Sequence, residues 1–229
     1  MGLKIHTFRL DLDMKLITEL SKIDRFDASW TSIAKREGAS LKQLKSIATV
    51  RSVGASTRIE GSKMTDYEVA VLIDKLSISK LEERDQQEVI GYFEALDTIS
   101  EHFDSIGISE SQLKNLHKIL MRHGEKDAWH RGNYKQVSNA VEANLKDGTK
   151  HIVFRTAELG LETQDAMKQL FEWYKSDKET IPLVKAALFV YEFLSNHPFQ
   201  DGNGRLSRLM GSLLLLKNGY SWIQYVSLE

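Results

Sequence analysis

Twelve consecutive residues, 197–208, read His-Pro-Phe-Gln-Asp-Gly-Asn-Gly-Arg-Leu-Ser-Arg. The apolar stretch before them predicts a helix, and Pro198 disfavours a helical conformation at His197. We therefore expect that helix to end near residue 196, with the imidazole facing a cleft. A glycine-rich turn that enters the next helix presents free backbone N–H groups and a positive dipole end, which suits phosphate. The segment has the parts needed to hold a metal-bound polyphosphate beside a reactive hydroxyl.

The charged side chains of this segment have roles that their types and spacing allow. Asp201 can coordinate a Mg²⁺ ion that bridges phosphate oxygens. Arg205 and Arg208, three residues apart on one helical face, can reach the same anion through charge-assisted hydrogen bonds. His197 can take a proton from an incoming hydroxyl, a role worth about 10²–10⁴-fold in rate. Taken singly, the aspartate could cap a helix, the glycines could only permit a turn and the arginines could be solvated; the combination favours catalysis.

The elements that must position these residues are mostly helical. The chain has two prolines, and apolar residues recur with a spacing near 3.6 over long stretches. The helix at 183–195 is apolar on nearly every face and is predicted to lie at the centre of a bundle. The predicted helices are 10–22, 28–37, 41–60, 65–76, 83–103, 109–123, 163–176, 183–195 and 204–218.

The segment 135–154 breaks this helical pattern. Apolar residues alternate with others along its first half, the pair Asp147-Gly148 is typical of a tight turn, and an apolar run follows. We predict a β-hairpin, which could be an ordinary surface hairpin covering an edge of the bundle. The apolar residues concerned are Val137, Val141, Ala143, Leu145, Ile152, Val153 and Phe154.

Length and composition limit the classes of protein. A chain of 229 residues can form one well-buried domain, and 41% hydrophobic with 28% charged residues is ordinary for a globular protein. The net charge of −1 does not indicate a nucleic-acid partner. With no cysteine, disulfides, thiolate metal sites and a cysteine nucleophile are excluded. Apolar runs are too short to cross a bilayer, so we expect no membrane contact and a cytoplasmic location.

The segment 197–208 resembles the signature of the Fic family, His-Pro-Phe-x-Asp-Gly-Asn-Gly-Arg-x-x-Arg, at every defining position, and the resemblance extends over at least 109–218. It implies an all-α Fic fold with a small β-hairpin flap, and transfer of AMP from ATP to a Tyr, Thr or Ser hydroxyl of a target protein. His197 would be the base and Asp201 the Mg²⁺ ligand. The resemblance assigns nucleotide binding to Gly202, Asn203, Gly204, Arg205 and Arg208, the last at the γ-phosphate. It assigns docking of the target by strand pairing to the flap near Val137, Ser138 and Asn139.

A second motif lies at the end of the predicted helix 41–60. Ser56 and Glu60 share one face, and Gly61 can end the helix in a left-handed conformation. Glu60 faces the negative end of the helix dipole, a penalty of roughly 0.3–1 kcal/mol that a cationic partner would reverse. Alone, it could be a surface glutamate before a capping glycine. The segment resembles the Fic inhibitory motif Ser/Thr-x-x-x-Glu-Gly/Asn, which implies that Glu60 pairs with Arg208 and suppresses transfer.

The resemblance divides the chain into an N-terminal helical region, 1–104, with the inhibitory helix at about 41–61, and a catalytic core, 105–229. Family members often continue with helices that complete the adenine pocket, so we expect either a fragment or a chain without those elements. Self-association is common in the family, which makes a homo-oligomer an open expectation.

Other functions remain open at this stage. Glu60 could orient water in a hydrolase that removes AMP from a modified protein. A donor of another phosphate-containing group is an alternative, although the family branch that moves phosphate departs from the Gly-Asn-Gly pattern kept here. From a different class, the chain could be a nucleotide-sensing interaction module without turnover, and a toxin-like role is also conceivable.

Overall fold

The computed structural model describes residues 8, 13–76, 81, 83–144 and 150–229. Within these ranges the chain is mostly α-helical, which confirms the predicted fold class. The α-helices are α1 Met14–Arg36, α2 Gly38–Ile59, α3 Asp66–Asp74, α4 Arg84–His102, α5 Glu110–Leu120, α6 Leu161–Ser176, α7 Pro182–Asn196 and α8 Asn203–Lys217. Two strands, β1 Ala140–Asn144 and β2 Lys150–Arg155, lie between α5 and α6, and short 3-10 helices span Glu125–Asp127 and Ser221–Tyr225.

The two helices predicted at 10–22 and 28–37 form one continuous helix, α1, so the predicted break was wrong. Residues 10–12 lie outside the described ranges. The intervening segment contains no proline or glycine to stop a helix, and tertiary contacts hold it. Phe26 packs edge-on against Trp222, and the indole Nε1 of Trp222 donates to Asp27 Oδ1 at 2.9 Å.

The central helix of the bundle is α8 rather than α7. The helix α7 buries only Ala186, Phe189 and Phe193, and it leaves Tyr191 65% exposed. By contrast, α8 contacts α2, α4, α5 and α7 and is buried from Asn203 into its last turn. Helix α8 directly follows residues 197–202, which we call the signature turn. The packing of α8 in the core therefore fixes the position of that turn.

The strands β1 and β2 pair antiparallel, with Ala140 opposite Arg155 and Asn144 opposite Lys150. Both lie in the segment predicted as a hairpin. The residues predicted to form its turn, Asp147 and Gly148, lie outside the described residues, as does Leu145.

The segment before β1 was also predicted as strand and pairs with the signature turn instead. Tyr134 forms an isolated antiparallel bridge with Phe199, and the Lys135 N–H donates to the Pro198 carbonyl at 2.8 Å. Val137 therefore precedes the hairpin, and its backbone N–H donates to Gln200 Oε1 at 3.2 Å.

The segment 56–61, which resembles the inhibitory motif, lies at the end of α2. Helix α2 contacts α3, α4 and α8, and Gly61 follows it with a left-handed φ of 109°. The division of the chain at residue 104 stays a prediction. Among the described residues, no helix is both long and apolar enough to cross a bilayer.

Candidate active site

His197 lies directly after α7, where it adopts the left-handed conformation with φ 47° and ψ 58°. Its Nδ1 lies 3.3 Å from the Leu194 carbonyl oxygen. Since a carbonyl can only accept a hydrogen bond, Nδ1 carries the proton of the neutral ring and Nε2 keeps its lone pair. Burial lowers the pKa of His197 below its usual value, and the hydrogen bond to Leu194 opposes that shift. The imidazole is therefore neutral near pH 7 and able to accept a proton at Nε2.

The turn after His197 leads into the N-terminus of α8. Gly202 has a left-handed φ of 77° and no side chain caps the helix, so in the described part of the chain the first-turn N–H groups of Asn203, Gly204 and Arg205 have no hydrogen-bond partner. The Asn203 side chain is buried and bound to Phe199: Oδ1 accepts from the Phe199 N–H at 2.9 Å and Nδ2 donates to the Phe199 carbonyl at 2.8 Å. Its backbone N–H, in the first turn of α8, remains available to an anion.

Asp201 stands beside these N–H groups. Its Oδ1 accepts from the Gly202 N–H and from Arg205 Nη2, while Oδ2 lies 3.7 Å from Arg84 Nη2. Burial alone would raise the pKa of Asp201, but Arg205, the Gly202 N–H and Arg84 together hold it below its usual value. The carboxylate is ionised at neutral pH, and Oδ2 has no hydrogen bond within the described chain.

Arg205 and Arg208 do not face one shared anion as predicted. Arg205 is 2% exposed, and its guanidinium lies between two carboxylates, with Nη1 3.2 Å from Glu88 Oε2 and Nη2 3.3 Å from Asp201 Oδ1. Three residues on, Arg208 reaches the other way, toward α2. Sequence reasoning missed Glu88, which lies on α4 and has no local pattern that links it to the signature.

The predicted pairing of Glu60 with Arg208 is present. Arg208 Nη2 donates to Glu60 Oε1 at 2.8 Å. The same guanidinium donates from Nε to Ser56 Oγ at 2.6 Å and from Nη2 to the Ser56 carbonyl at 3.0 Å. Ser56 is fully buried, so the last turn of α2 binds this arginine through two residues on one face.

Gly204 brings the Glu60 carboxylate against the first turn of α8. A Cβ added at Gly204 would lie closer to Glu60 Oε1 than real Cβ atoms approach any atom. The carboxylate therefore lies at the N-terminus of a helix, where free N–H groups and the dipole attract anions. Glu60 thus binds Arg208 and also occupies part of a site suited to phosphate.

Residues 107–215 match the sequence model of the Fic/DOC family. The chain carries a Fic/DOC-family domain. A Fic family protein from Desulfovibrio desulfuricans G20 has a similar structure, with a TM-score of 0.76 and 26% identity over 96% of this chain and 62% of that chain. A Fic domain containing signaling protein from Bacteroides thetaiotaomicron has a TM-score of 0.71 at 26% identity, covering 86% of this chain and 73% of its own.

Curated relatives are also similar in sequence. The protein adenylyltransferase Fic of Drosophila erecta is 27% identical over 215 residues, 92% of this chain and 40% of that protein. The corresponding protein of Drosophila melanogaster is 26% identical over 88% of this chain and 39% of its own length. The present chain thus spans about two fifths of the curated relatives it matches.

The predicted docking residues of the Fic domain lie at the base of the hairpin rather than within it. Val137 is 57% exposed and Ser138 is exposed. Asn139 is held: its Nδ2 donates to the carbonyls of Phe199 at 3.0 Å and His197 at 3.4 Å. Among the described residues β1 pairs only with β2, which leaves one edge of each strand free for a further strand.

His117 supports the signature turn of the Fic domain and was missed by sequence reasoning. Its buried ring stacks on Phe199 at 4.0 Å. The Gly132 N–H donates to Nδ1 at 2.8 Å, so Nε2 carries the proton and donates to the Asp201 carbonyl at 3.1 Å. A histidine on the apolar face of α5, between Leu113 and Leu120, is the sequence signal that could have indicated this role.

We predict that His117 makes folding stability depend on pH. Burial lowers its pKa to about 4 from a usual value of 6.5, so the unfolded state binds the proton more readily. The stabilisation is complete above pH 6.5 and is lost as pH falls toward 4, by about 3 kcal/mol in all. Urea unfolding between pH 4.5 and 7 should show the decline, and His117→Gln, which is neutral throughout, should flatten it. An equal slope in that variant would contradict the assignment.

Proposed function

We propose that this chain is a protein adenylyltransferase that moves AMP from ATP to a Tyr, Thr or Ser hydroxyl of a target protein. The observation that carries the proposal is the arrangement of the signature turn: a neutral imidazole with a free Nε2 stands four residues from an ionised aspartate, at a helix N-terminus with unpaired N–H groups. The names of the curated relatives support the same activity.

His197 would begin the reaction. Its Nε2 accepts the proton of the target hydroxyl, and the hydroxyl oxygen forms a bond to the α-phosphorus of ATP. The bond between that phosphorus and the α,β-bridging oxygen breaks, and pyrophosphate leaves with the electron pair. The hydrogen bond from Nδ1 to the Leu194 carbonyl keeps the ring oriented while it accepts the proton.

The groups around α8 would hold the phosphates. Backbone N–H groups of residues 203–205 and the guanidinium of Arg208 are suited to phosphate oxygens. The Gly202 N–H, in a residue that the resemblance assigned to nucleotide binding, donates to Asp201 Oδ1 instead. Buried Arg205 orients Asp201 and adds positive charge beside it. These are the contributions that dominate phosphate chemistry, where positioning and charge neutralisation supply most of the catalysis.

Asp201 fits a magnesium ion that also binds ATP. Its Oδ2 is available, and the described residues contain no cluster of three or more His, Cys, Asp or Glu side chains that could hold a metal. A hard cation held by one carboxylate is completed by substrate phosphate oxygens. When bound there, Mg²⁺ would neutralise charge on the phosphates of ATP.

Glu60 would inhibit this reaction. With its carboxylate on Arg208 Nη2 and against Gly204, the γ-phosphate loses its arginine and meets a like charge. ATP could then bind only in a pose unsuited to in-line attack. The subclass with an N-terminal inhibitory helix is thus the assignment that the Glu60–Arg208 pair favours.

The transferred group can be identified with two labelled forms of ATP. Incubated with Mg²⁺, Glu60→Gly protein should retain label from α-³²P-ATP and none from γ-³²P-ATP, with an intact-mass increase of one AMP group. Retention of the γ-label would indicate phosphotransfer and contradict the proposal, as would the absence of label from both forms.

The reverse reaction is a second candidate, favoured by one feature of Glu60. Its Oε1 is bound to Arg208, whereas Oε2 has no hydrogen bond to any described residue and could orient a water molecule. A labelled Glu60→Gly protein provides the substrate for this test. Loss of AMP on addition of unmodified wild type, and none on addition of Glu60→Gly, would establish the hydrolase.

A further inference from the structure

A buried lysine stands where the hairpin joins the signature turn. Lys135 is 4% exposed, and its ammonium group contacts three oxygen acceptors: Asn139 Oδ1 at 2.8 Å, Thr156 Oγ at 2.8 Å and the Asn196 carbonyl at 3.4 Å. An ammonium group has three N–H donors and no acceptor. Donors and acceptors therefore match one to one at this point.

The three acceptors belong to two parts of the fold. Asn139 directly precedes β1 and Thr156 directly follows β2, so Lys135 ties both ends of the hairpin together. The third acceptor, the carbonyl of Asn196, ends α7 one residue before His197. A single side chain thus connects the hairpin to the turn that carries the candidate base.

A second set of contacts reinforces this connection. The side-chain amide of Asn139 accepts from Lys135 at its oxygen and donates from Nδ2 to the carbonyls of His197 and Phe199. The Thr156 hydroxyl lies 2.9 Å from the Asn139 carbonyl and 2.7 Å from its Oδ1. Removal of the ammonium group would leave this buried set of acceptors without its central donor.

The charge of Lys135 also affects the protonation of the His197 imidazole. Burial lowers the pKa of Lys135 to about 8, against the opposing effects of Glu158 and Glu162, so the group is charged at pH 7. That charge disfavours protonation of His197, whereas Glu60 and Asp201 favour it. Lys135 accordingly helps to keep the imidazole neutral.

We infer that Lys135 is a positioning residue that fixes the base of the hairpin to the His197 turn and so determines where a docked hydroxyl meets Nε2. Its catalytic consequence rests on the proposed adenylyltransferase function. The anchoring of the hairpin does not, and it can be measured without turnover. Methionine is the matched substitution, because it keeps the unbranched apolar stem and removes all three donors.

Hydrogen exchange of the full chain tests the anchoring. In Lys135→Met, amides of β1 and β2 should exchange at least tenfold faster, while amides of α4 keep their wild-type rates. Lys135→Arg, which retains charge and several donors, should restore part of the protection. Lys185→Met is the control, since Lys185 is a partly buried lysine on α7 that contacts Asp177 instead; it should leave hairpin exchange unchanged.

Activity in a Glu60→Gly background tests the consequence. Addition of Lys135→Met should slow AMP incorporation at least tenfold while the Kd for ATP stays within twofold, because Lys135 contacts neither α8 nor Arg208 among the described residues. Unchanged hairpin exchange, or faster exchange throughout the protein, would overturn the inference. If Glu60→Gly itself incorporates no AMP, the proposed function fails and the exchange result alone decides the role of Lys135.

Discussion

Replacement of His197 by alanine in a Glu60→Gly background should lower AMP incorporation by about 10²–10⁴-fold, the usual contribution of a positioned base. The ring is oriented through Nδ1, and its lowered pKa keeps it neutral, so Nε2 is the acceptor near the α8 N-terminus. ATP affinity should persist, because the phosphate-binding groups lie on α8. Intact-mass time courses give the rate, and titration calorimetry with ATP gives the Kd.

The position of His197 calls for a second variant. Its left-handed conformation strains alanine, whereas asparagine tolerates that region of backbone space. His197→Asn should therefore keep the wild-type melting temperature and still lose incorporation. His102→Ala, at the exposed end of α4, is the matched histidine control and should retain full activity. A residual rate within tenfold of Glu60→Gly for both His197 variants would rule out the base.

The predictions that succeeded from sequence were those with local causes. Pro198 stopped α7 before His197, the glycine-rich turn led into α8, and Gly61 ended α2 in a left-handed conformation. Each follows from the backbone preferences of one or two neighbouring residues. The pairing of Glu60 with Arg208 is the exception, because it spans 148 positions and came from resemblance to a motif together with an unfavourable helix-dipole position.

The contacts that sequence could not supply join residues far apart in the chain. Arg205 was expected to reach the same anion as Arg208 because the two are three residues apart, yet Glu88 of α4 binds Arg205 inside the protein. Lys135 lies in a segment whose alternating apolar residues predicted a strand of the hairpin. Its backbone N–H instead donates to the Pro198 carbonyl, and the neighbouring Tyr134 pairs with Phe199. Local periodicity predicts which face of an element is apolar and leaves open which partner covers a buried charge.

The proposed inhibition by Glu60 depends on one guanidinium, that of Arg208. Arg208 is shared between α2, which binds it in the structure, and a γ-phosphate, which would need it for productive binding. A ligand shifts such an equilibrium only by the difference in its affinity for the two states. Since Glu60 competes for the arginine and for the anion site at Gly204, its removal should favour the productive pose at two points.

Glu60→Gly should accordingly raise the rate of AMP incorporation roughly 10–100-fold over wild type, as one charge-assisted hydrogen bond contributes about 1.5–3 kcal/mol. Glu60→Gln should give a smaller increase, because the amide oxygen still accepts from Arg208 without a charge. Initial rates from intact-mass time courses at saturating ATP and Mg²⁺ measure both.

A second ion pair of α2 serves as a control that distinguishes loss of the Glu60–Arg208 contact from a general loosening of α2. Lys45 of α2 binds Glu101 of α4 at 2.9 Å on the exposed surface, far along the helix from Glu60. Glu101→Gln should leave incorporation at the wild-type level, because exposed pairs contribute about 0–1 kcal/mol and this one does not involve Arg208. Equal activation by Glu101→Gln and Glu60→Gly would mean that attachment of α2, rather than capture of Arg208, restrains the enzyme. Equal rates of AMP incorporation in wild type and Glu60→Gly would show that the Glu60–Arg208 pair does not inhibit the reaction.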